Sequence, residues 1–237
     1  MRRRPKYCQE SAYDFFVLAM RASDPSQRLI AGALGIALHF LPHQSPVVSL
    51  EAIGEIASTV RRRVRNPTPD ALLAQMHQVL FDEMGFRGNE EDYFHVDNSL
   101  IPRVLETRRG LPITLCLIYK AVGESIGLKI EGVNSPTHFL VRVDLGRESM
   151  LIDPFHMGRM LTETEAIHMI ERYAAQRKHP DDAWFPRCDE FQWLQRILNN
   201  LRSQLIHRGD SNHVAAMREL LALLNDDWIP PTAPREE

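Results

Sequence analysis

Residues 111–126 constrain the fold more than any other stretch, because they read as a helix that is apolar nearly all the way round. Leu115, Ile118 and Val122 make one stripe, Leu117 and Ala121 a second, and only Lys120 and Glu124 carry charge. A helix without a polar face has no solvent side, so this one is expected to run buried through the middle of its region. Its start, Arg109-Gly110-Leu111-Pro112, places proline at or beside the first helical position, where the missing N–H had no helical partner to lose. A chain of 237 residues with 44% hydrophobic content has enough material to surround it.

Upstream, apolar residues recur at helical spacing: Phe15, Leu18, Ala19 and Ala22, then Leu29, Ala33, Ile36, Ala37 and Phe40, then Ile53, Ile56, Ala57 and Val60. Pro42, Pro46 and Pro67 punctuate them. Thr68-Pro69-Asp70 opens another helix, expected to run to about residue 84, with an acid at the positive end of the dipole. Residues 85–97, with Gly85, Gly88, Asn89 and four acids, read as a loop leading into a region of different texture.

Downstream, short runs at 128–133, 138–143 and 149–153 are rich in branched residues and bounded by Gly, Pro, Asn and Asp, which predicts strands, the last two paired as a hairpin through 144–148. Thr162-Glu163-Thr164-Glu165 is a capping box for a helix carrying Ala166, Ile167, Ile170 and Tyr173. After a loop at 180–186, residues 191–207 and 214–224 form two amphipathic helices joined at Gly209-Asp210, the unit of tetratricopeptide-like arrays. Residues 228–237, with three prolines and closing acids, are expected to be a disordered tail.

The hairpin brings two chemically useful residues together. Partners across an antiparallel pair have a constant index sum, and a turn centred between 146 and 147 sets His138 opposite position 155, with Asp153 one step along the same face. A carboxylate beside an imidazole holds its tautomer and stabilises its charged form, as the orienting half of a nucleophile–base–orienter triad does. The same spacing also suits a pair that merely satisfies itself at a sheet end.

Charge excludes some classes of function. A net charge of -3 offers no basic excess for nucleic acid, and Arg61-Arg62-Arg63 suits the last turn of a helix, where cations complement the dipole. The start, Arg2-Arg3-Arg4 followed by 13–20, imitates a signal peptide, but Asp14 and Arg21 interrupt it, and no run reaches the length of a membrane span. Cys8, Cys116 and Cys188 are scattered without a CxxC pair, which suits a reducing compartment, so the chain is expected to be cytoplasmic. His39 and His43 have the i, i+4 spacing of zinc ligands, but Pro42 lies between them and no HExxH glutamate accompanies them. His156 can join His138 in a small ligand set, yet no third ligand is identified, and neither metal nor cofactor is expected.

Four motifs in order, Arg109-Gly110-Leu111-Pro112-Ile113-Thr114-Leu115, Gly132-Val133-Asn134, His138-Phe139-Leu140 and Asp153-Pro154-Phe155, closely resemble the SirB/YchA-like branch of the transglutaminase-like superfamily. The resemblance covers about a quarter of the chain directly. It departs at Thr137, where glycine is expected before the histidine, and in an abbreviated C-terminal repeat region. It implies an α+β fold: a helical N-terminal subdomain (1–90), a transglutaminase-like, papain-like core with a central helix on a small antiparallel sheet (91–188), a tetratricopeptide-like helical hairpin (189–227) and the tail (228–237).

Active members of the wider superfamily carry a cysteine at the start of the central helix, followed by His and Asp on neighbouring strands. Anchored on Gly127, that pattern implies Pro112 at the nucleophile position, so the inherited chemistry is expected to be missing while its His138 and Asp153 remnant survives. Cys116 lies one turn on, about 6 Å along the axis and past the free amides of the first turn, and is expected to be a core residue. Thr114 is rotated off the Pro112 face. The resemblance implies a cleft walled by Asn98, Arg109, Asn134, His138 and Asp153, with Thr114 and Pro112 at its helix end. The expected function is non-catalytic binding or regulation of a protein or peptide partner; the alternative is a thiol-dependent hydrolase, amidase or transferase using Cys116, His138 and Asp153.

Overall fold

The computed structural model describes residues 4–173 and 184–224. The expected tail at 228–237, positions 225–227 of the hairpin region, 180–183 of the expected loop and the side chain of Tyr173 lie outside the described residues.

Helix α1 (Glu10–Ala19) is followed by α2 (Pro25–Phe40), α3 (Pro46–Arg63) and α4 (Pro69–His77). The last three open on a proline, preceded by Asp24, Ser45 and Thr68 in extended backbone; Asp24 and Thr68 each accept a hydrogen bond from an amide of the first turn. The expected buried stripes of α2 and α3 are buried, except that Phe40 is only partly so. Helix α1 corrects its expected phase. Ala12, Tyr13, Phe16 and Ala19 face inward while Leu18 is 65% exposed. The cause is a backbone approach: a Cβ on Gly35 of α2 would stand 3.2 Å from the backbone of Phe16, and that contact sets the rotation of α1.

The helix expected to reach residue 84 does continue past α4, but as a wider π-helical turn, Gln78–Glu83. There Phe81 stacks on Tyr119, with His77 edge-on to both and its Nε2 2.8 Å from the Tyr119 hydroxyl. Residues 85–97, expected as a loop, are pinned at both ends. Strand β1 (Arg87–Gly88) pairs in parallel with β2 (Arg109–Gly110), and a 3-10 turn (Val96–Ser99) leads into α5 (Ile101–Thr107).

Helix α6 (Pro112–Ser125) is the expected central helix, buried from Pro112 to Tyr119 and again at Val122 and Gly123. Strands β3 (Lys129–Val133), β4 (Leu140–Asp144), β5 (Ser149–Asp153) and β6 (Arg159–Leu161) follow, then α7 (Glu163–Tyr173), β7 (Arg187–Cys188), α8 (Glu190–His207) and α9 (Ser211–Ala222). The antiparallel sheet runs β6-β5-β4-β3-β7. Strand alternation divides its side chains: Ile130, Val141, Val143 and Ile152 join the cluster around α6, whereas Val133, Leu140, Leu151 and Leu161 close a smaller one with Ala166 and Met169 of α7. The fold is α+β. One hydrophobic cluster reaches from Cys8 through α6 to Leu223, so the segments expected as 1–90, 91–188 and 189–227 share a core.

The expected capping box is made, Thr162 with Glu165, and the structure adds a second, Asp189 with Gln192. The second fixes the start of α8, from which Trp193 reaches across the sheet end: its indole N–H donates to the Ile113 carbonyl at 3.3 Å and its ring lies on Gly132. A Cβ on Gly132 would sit 2.4 Å from that ring. Gly132→Val should therefore cost about 1–3 kcal/mol in urea unfolding. Gly54, an exposed glycine within α3 whose Cβ would meet nothing within 4 Å, makes the converse comparison, and Gly54→Ala should add about 0.5–1 kcal/mol.

Candidate functional site

Asp153 is the last residue of β5 and caps the 3-10 turn that follows, Pro154–His156. Its Oδ1 accepts from the amides of Phe155 (3.0 Å) and His156 (3.4 Å). Met157 and Gly158, both at positive φ, fold the chain back so that the Gly158 amide donates to the Asp153 carbonyl at 2.9 Å. With Oδ1 held by its own turn, Oδ2 receives two imidazoles, His138 Nε2 at 2.9 Å and His156 Nδ1 at 2.7 Å.

The hairpin has the index sum expected from the sequence, since Val141 faces Ile152. The ladder starts only at Leu140, however, so His138 reaches Asp153 from a turn rather than from the strand. In that turn the His138 amide donates to the Pro136 carbonyl at 2.7 Å, and Thr137 takes φ 63°. This is the position where glycine was expected, and a β-branched residue in the left-handed region is held there at a cost of about 1–2 kcal/mol.

Asp153 is wholly buried. Burial pushes its pKa up, but the hydrogen bonds and positive charges of His138 and His156 prevail and hold the carboxyl well below the usual range. The Asp153 bond raises the His156 pKa above its ordinary value; burial opposes this, and the charges of Asp153 and Glu90 assist it.

Cys116 is 0% exposed, with its Sγ 3.5 Å from the Phe139 carbonyl. Burial, and secondarily the Asp153 charge, push the thiol well above its ordinary pKa. Pro112 is the first residue of α6. Thr114 is buried, and its hydroxyl has no hydrogen-bond partner among the described residues.

The other residues expected to wall a cleft have diverse surroundings. Asn98 is turned onto its own loop, donating to the carbonyls of Asp92 (2.6 Å) and Tyr93 (3.2 Å) and accepting from Asn89. Arg109, in β2, is half-buried. Asn134 accepts through Oδ1 from Arg196, whose guanidinium also donates to the Ser135 carbonyl at 2.8 Å and lies over the Phe139 ring. Arg196 escaped the sequence reading, and its signal was a cation between Trp193-Leu194 and Ile197-Leu198 on the apolar side of α8.

His39 and His43 do not converge: His39 is buried against His213, with burial lowering its pKa to about 4, while His43 is exposed. His138, Asp153 and His156 do converge, with one donor atom from each lying within 4.8 Å of the others.

The sequence pattern of the transglutaminase-like superfamily matches residues 49–199. F-box only protein 21 of Homo sapiens is 31% identical over 160 residues, 64% of this chain but 24% of that protein. A UPF0162 protein of Xylella fastidiosa is 33% identical over 135 residues, 55% of this chain and 48% of its own length. A UPF0162 protein of Pseudomonas aeruginosa is 26% identical over 191 residues, 81% of this chain and 69% of its own. The chain thus spans about a quarter of the F-box protein and about half of the Xylella relative. No solved structure matches it.

Asp153→Asn can keep an oxygen for the two turn amides but sets a neutral NH2 in place of the charged acceptor of both imidazoles, so it should cost about 3 kcal/mol in urea unfolding at neutral pH. Because the folded carboxyl pKa is depressed, its contribution is complete above the ordinary carboxylate range and is lost as pH falls through the folded value. His156 has a raised pKa and contributes in the opposite sense, fully below about pH 6.5 and fading as pH rises through its folded value. The stability difference between wild type and Asp153→Asn should therefore hold or grow as pH falls to about 6.5, and shrink only below the ordinary carboxylate range.

Proposed function

The chain belongs to the transglutaminase-like superfamily, and from that membership we propose that it is a non-catalytic binding module of the SirB/YchA-like branch, working in the cytoplasm on a protein or peptide partner. In this reading Pro112 stands where active relatives carry the nucleophile, and the retained His138 and Asp153 shape a cleft against the start of α6. The observation that carries it is the state of Cys116, the thiol on the central helix. It is fully buried, hydrogen-bonded to a backbone carbonyl, and pushed toward its protonated form by burial and by the Asp153 charge. A nucleophilic thiol needs the opposite surroundings: access and a stabilised thiolate.

Binding has its own supports. His138 and Asp153 are a preorganised polar pair, and Arg109, half-buried at the entrance to α6, is a cation suited to a carboxylate or a backbone carbonyl. Arg196 braces the Asn134–Ser135 segment from behind and keeps the His138 turn in shape. Among the described residues no helix is long and apolar enough to cross a membrane.

Two measurements test the proposal. In a chain with Cys8 and Cys188 replaced by alanine, Cys116 should resist iodoacetamide at neutral pH until the protein is unfolded. Rapid native labelling would restore the thiol-enzyme alternative. Partner capture should fall at least tenfold in Arg109→Ala with thermal stability kept, and should be unchanged in Cys116→Ala; equal capture by all three proteins would reject the cleft as the binding surface.

A further inference from the structure

The residues that satisfy Asp153 carry a second capacity. His138 Nε2, Asp153 Oδ2 and His156 Nδ1 are three potential ligand atoms converging on one point at the end of β5, all within 4.8 Å of one another. Two imidazoles and one carboxylate are the donor set of a borderline divalent cation; Mg2+ and Ca2+ prefer oxygen shells. We propose that His138, Asp153 and His156 form a binding site for a borderline divalent cation of the Zn2+ type, open to water on the His156 side.

Geometry supports the set. Ligands at the tetrahedral angle around an ion with bonds of about 2.1 Å stand about 3.4 Å apart, and the two nitrogens now lie 2.9 and 2.7 Å from Oδ2, at hydrogen-bond distance. Binding then needs only a modest separation of the rings. At each ring the atom that donates a proton to Oδ2 would instead donate a lone pair. A neutral ring does this by moving its proton to the other nitrogen, and a protonated ring by releasing one proton to solvent.

The supporting shell is already in place. The Oδ1 amide bonds leave Oδ2 aimed at the rings. Glu90 Oε1 is 3.7 Å from His156 Nε2, on the far side from Oδ2, where a ligating imidazole commonly finds a carboxylate. Phe155 stands edge-on to both rings, with centroids at 5.7 and 5.1 Å. It can lie so close to β1 because Gly88 has no side chain; a Cβ there would stand 2.4 Å from its ring. Asp153 is 0% exposed, but the His156 side chain is 32% exposed, which gives an ion a way in and leaves a coordination position for water.

The proposal does not depend on the peptide-binding reading, because the test uses the purified chain and the metal alone. Zn2+ affinity is measured by competition with a chelating indicator, and visible absorption of bound Co2+ reports the ligand geometry. Wild type should bind one equivalent with micromolar or tighter affinity. His156→Gln, partly exposed and expected to fold, should bind at least tenfold more weakly and lose the Co2+ spectrum. Asp153→Asn should do the same where circular dichroism shows it folded. His43→Gln and His168→Gln, exposed histidines away from the cluster, should match wild type. Wild-type affinity weaker than micromolar, or a loss in His156→Gln of less than tenfold, overturns the proposal.

Discussion

Everything in this structure has to accommodate a helix whose first two turns have no face for water. Helix α6 is buried from its first proline to Tyr119, and its two charged residues pair with one another at the far end, where Lys120 also donates to the Ile130 carbonyl. No single neighbouring layer can cover such a cylinder. The sheet takes one side, α3 and the π-helical turn take others, and Trp193 closes the start. The N-terminal helices and the C-terminal pair are therefore parts of one core, although their sequences read as separate units.

Within that core Asp153 is the one fully buried carboxylate among the described residues, and it accepts from four donors. A buried charge needs this much satisfaction to be tolerated. The same four bonds lock the turn after β5 to the turn before β4, so the geometry of the His138 segment is a by-product of solvating one anion. The left-handed Thr137 persists because the surroundings overdetermine it.

Much of this was legible in sequence wherever one local rule sufficed. Proline starts, capping residues, period-two strands and a constant index sum gave the helix openings, the hairpin register and the pairing of His138 with Asp153. What escaped depended on tertiary contact. The phase of α1 is set by Gly35 against Phe16, a detail of another helix. The parallel pair β1–β2 is two residues long and has no periodicity to detect. Arg196 drew no reading, because its partner is the distant Asn134 segment, and His156 was set beside His138 only as a second ligand, since its bond to Asp153 is made in the 3-10 turn that Asp153 caps.

The indole bond from Trp193 to Ile113 joins residues 80 apart in the chain. A ribosome making this protein releases the apolar α6 long before the helix that covers its start exists. For that interval the nascent chain carries an apolar helix whose start is uncovered, beside a β3 edge still lacking β7, a species prone to aggregation. Closing so long a loop late also makes assembly slow relative to a helical bundle of similar size. The sequence that gives the folded protein its continuous interior thus makes its synthesis the stage at which it most needs a chaperone.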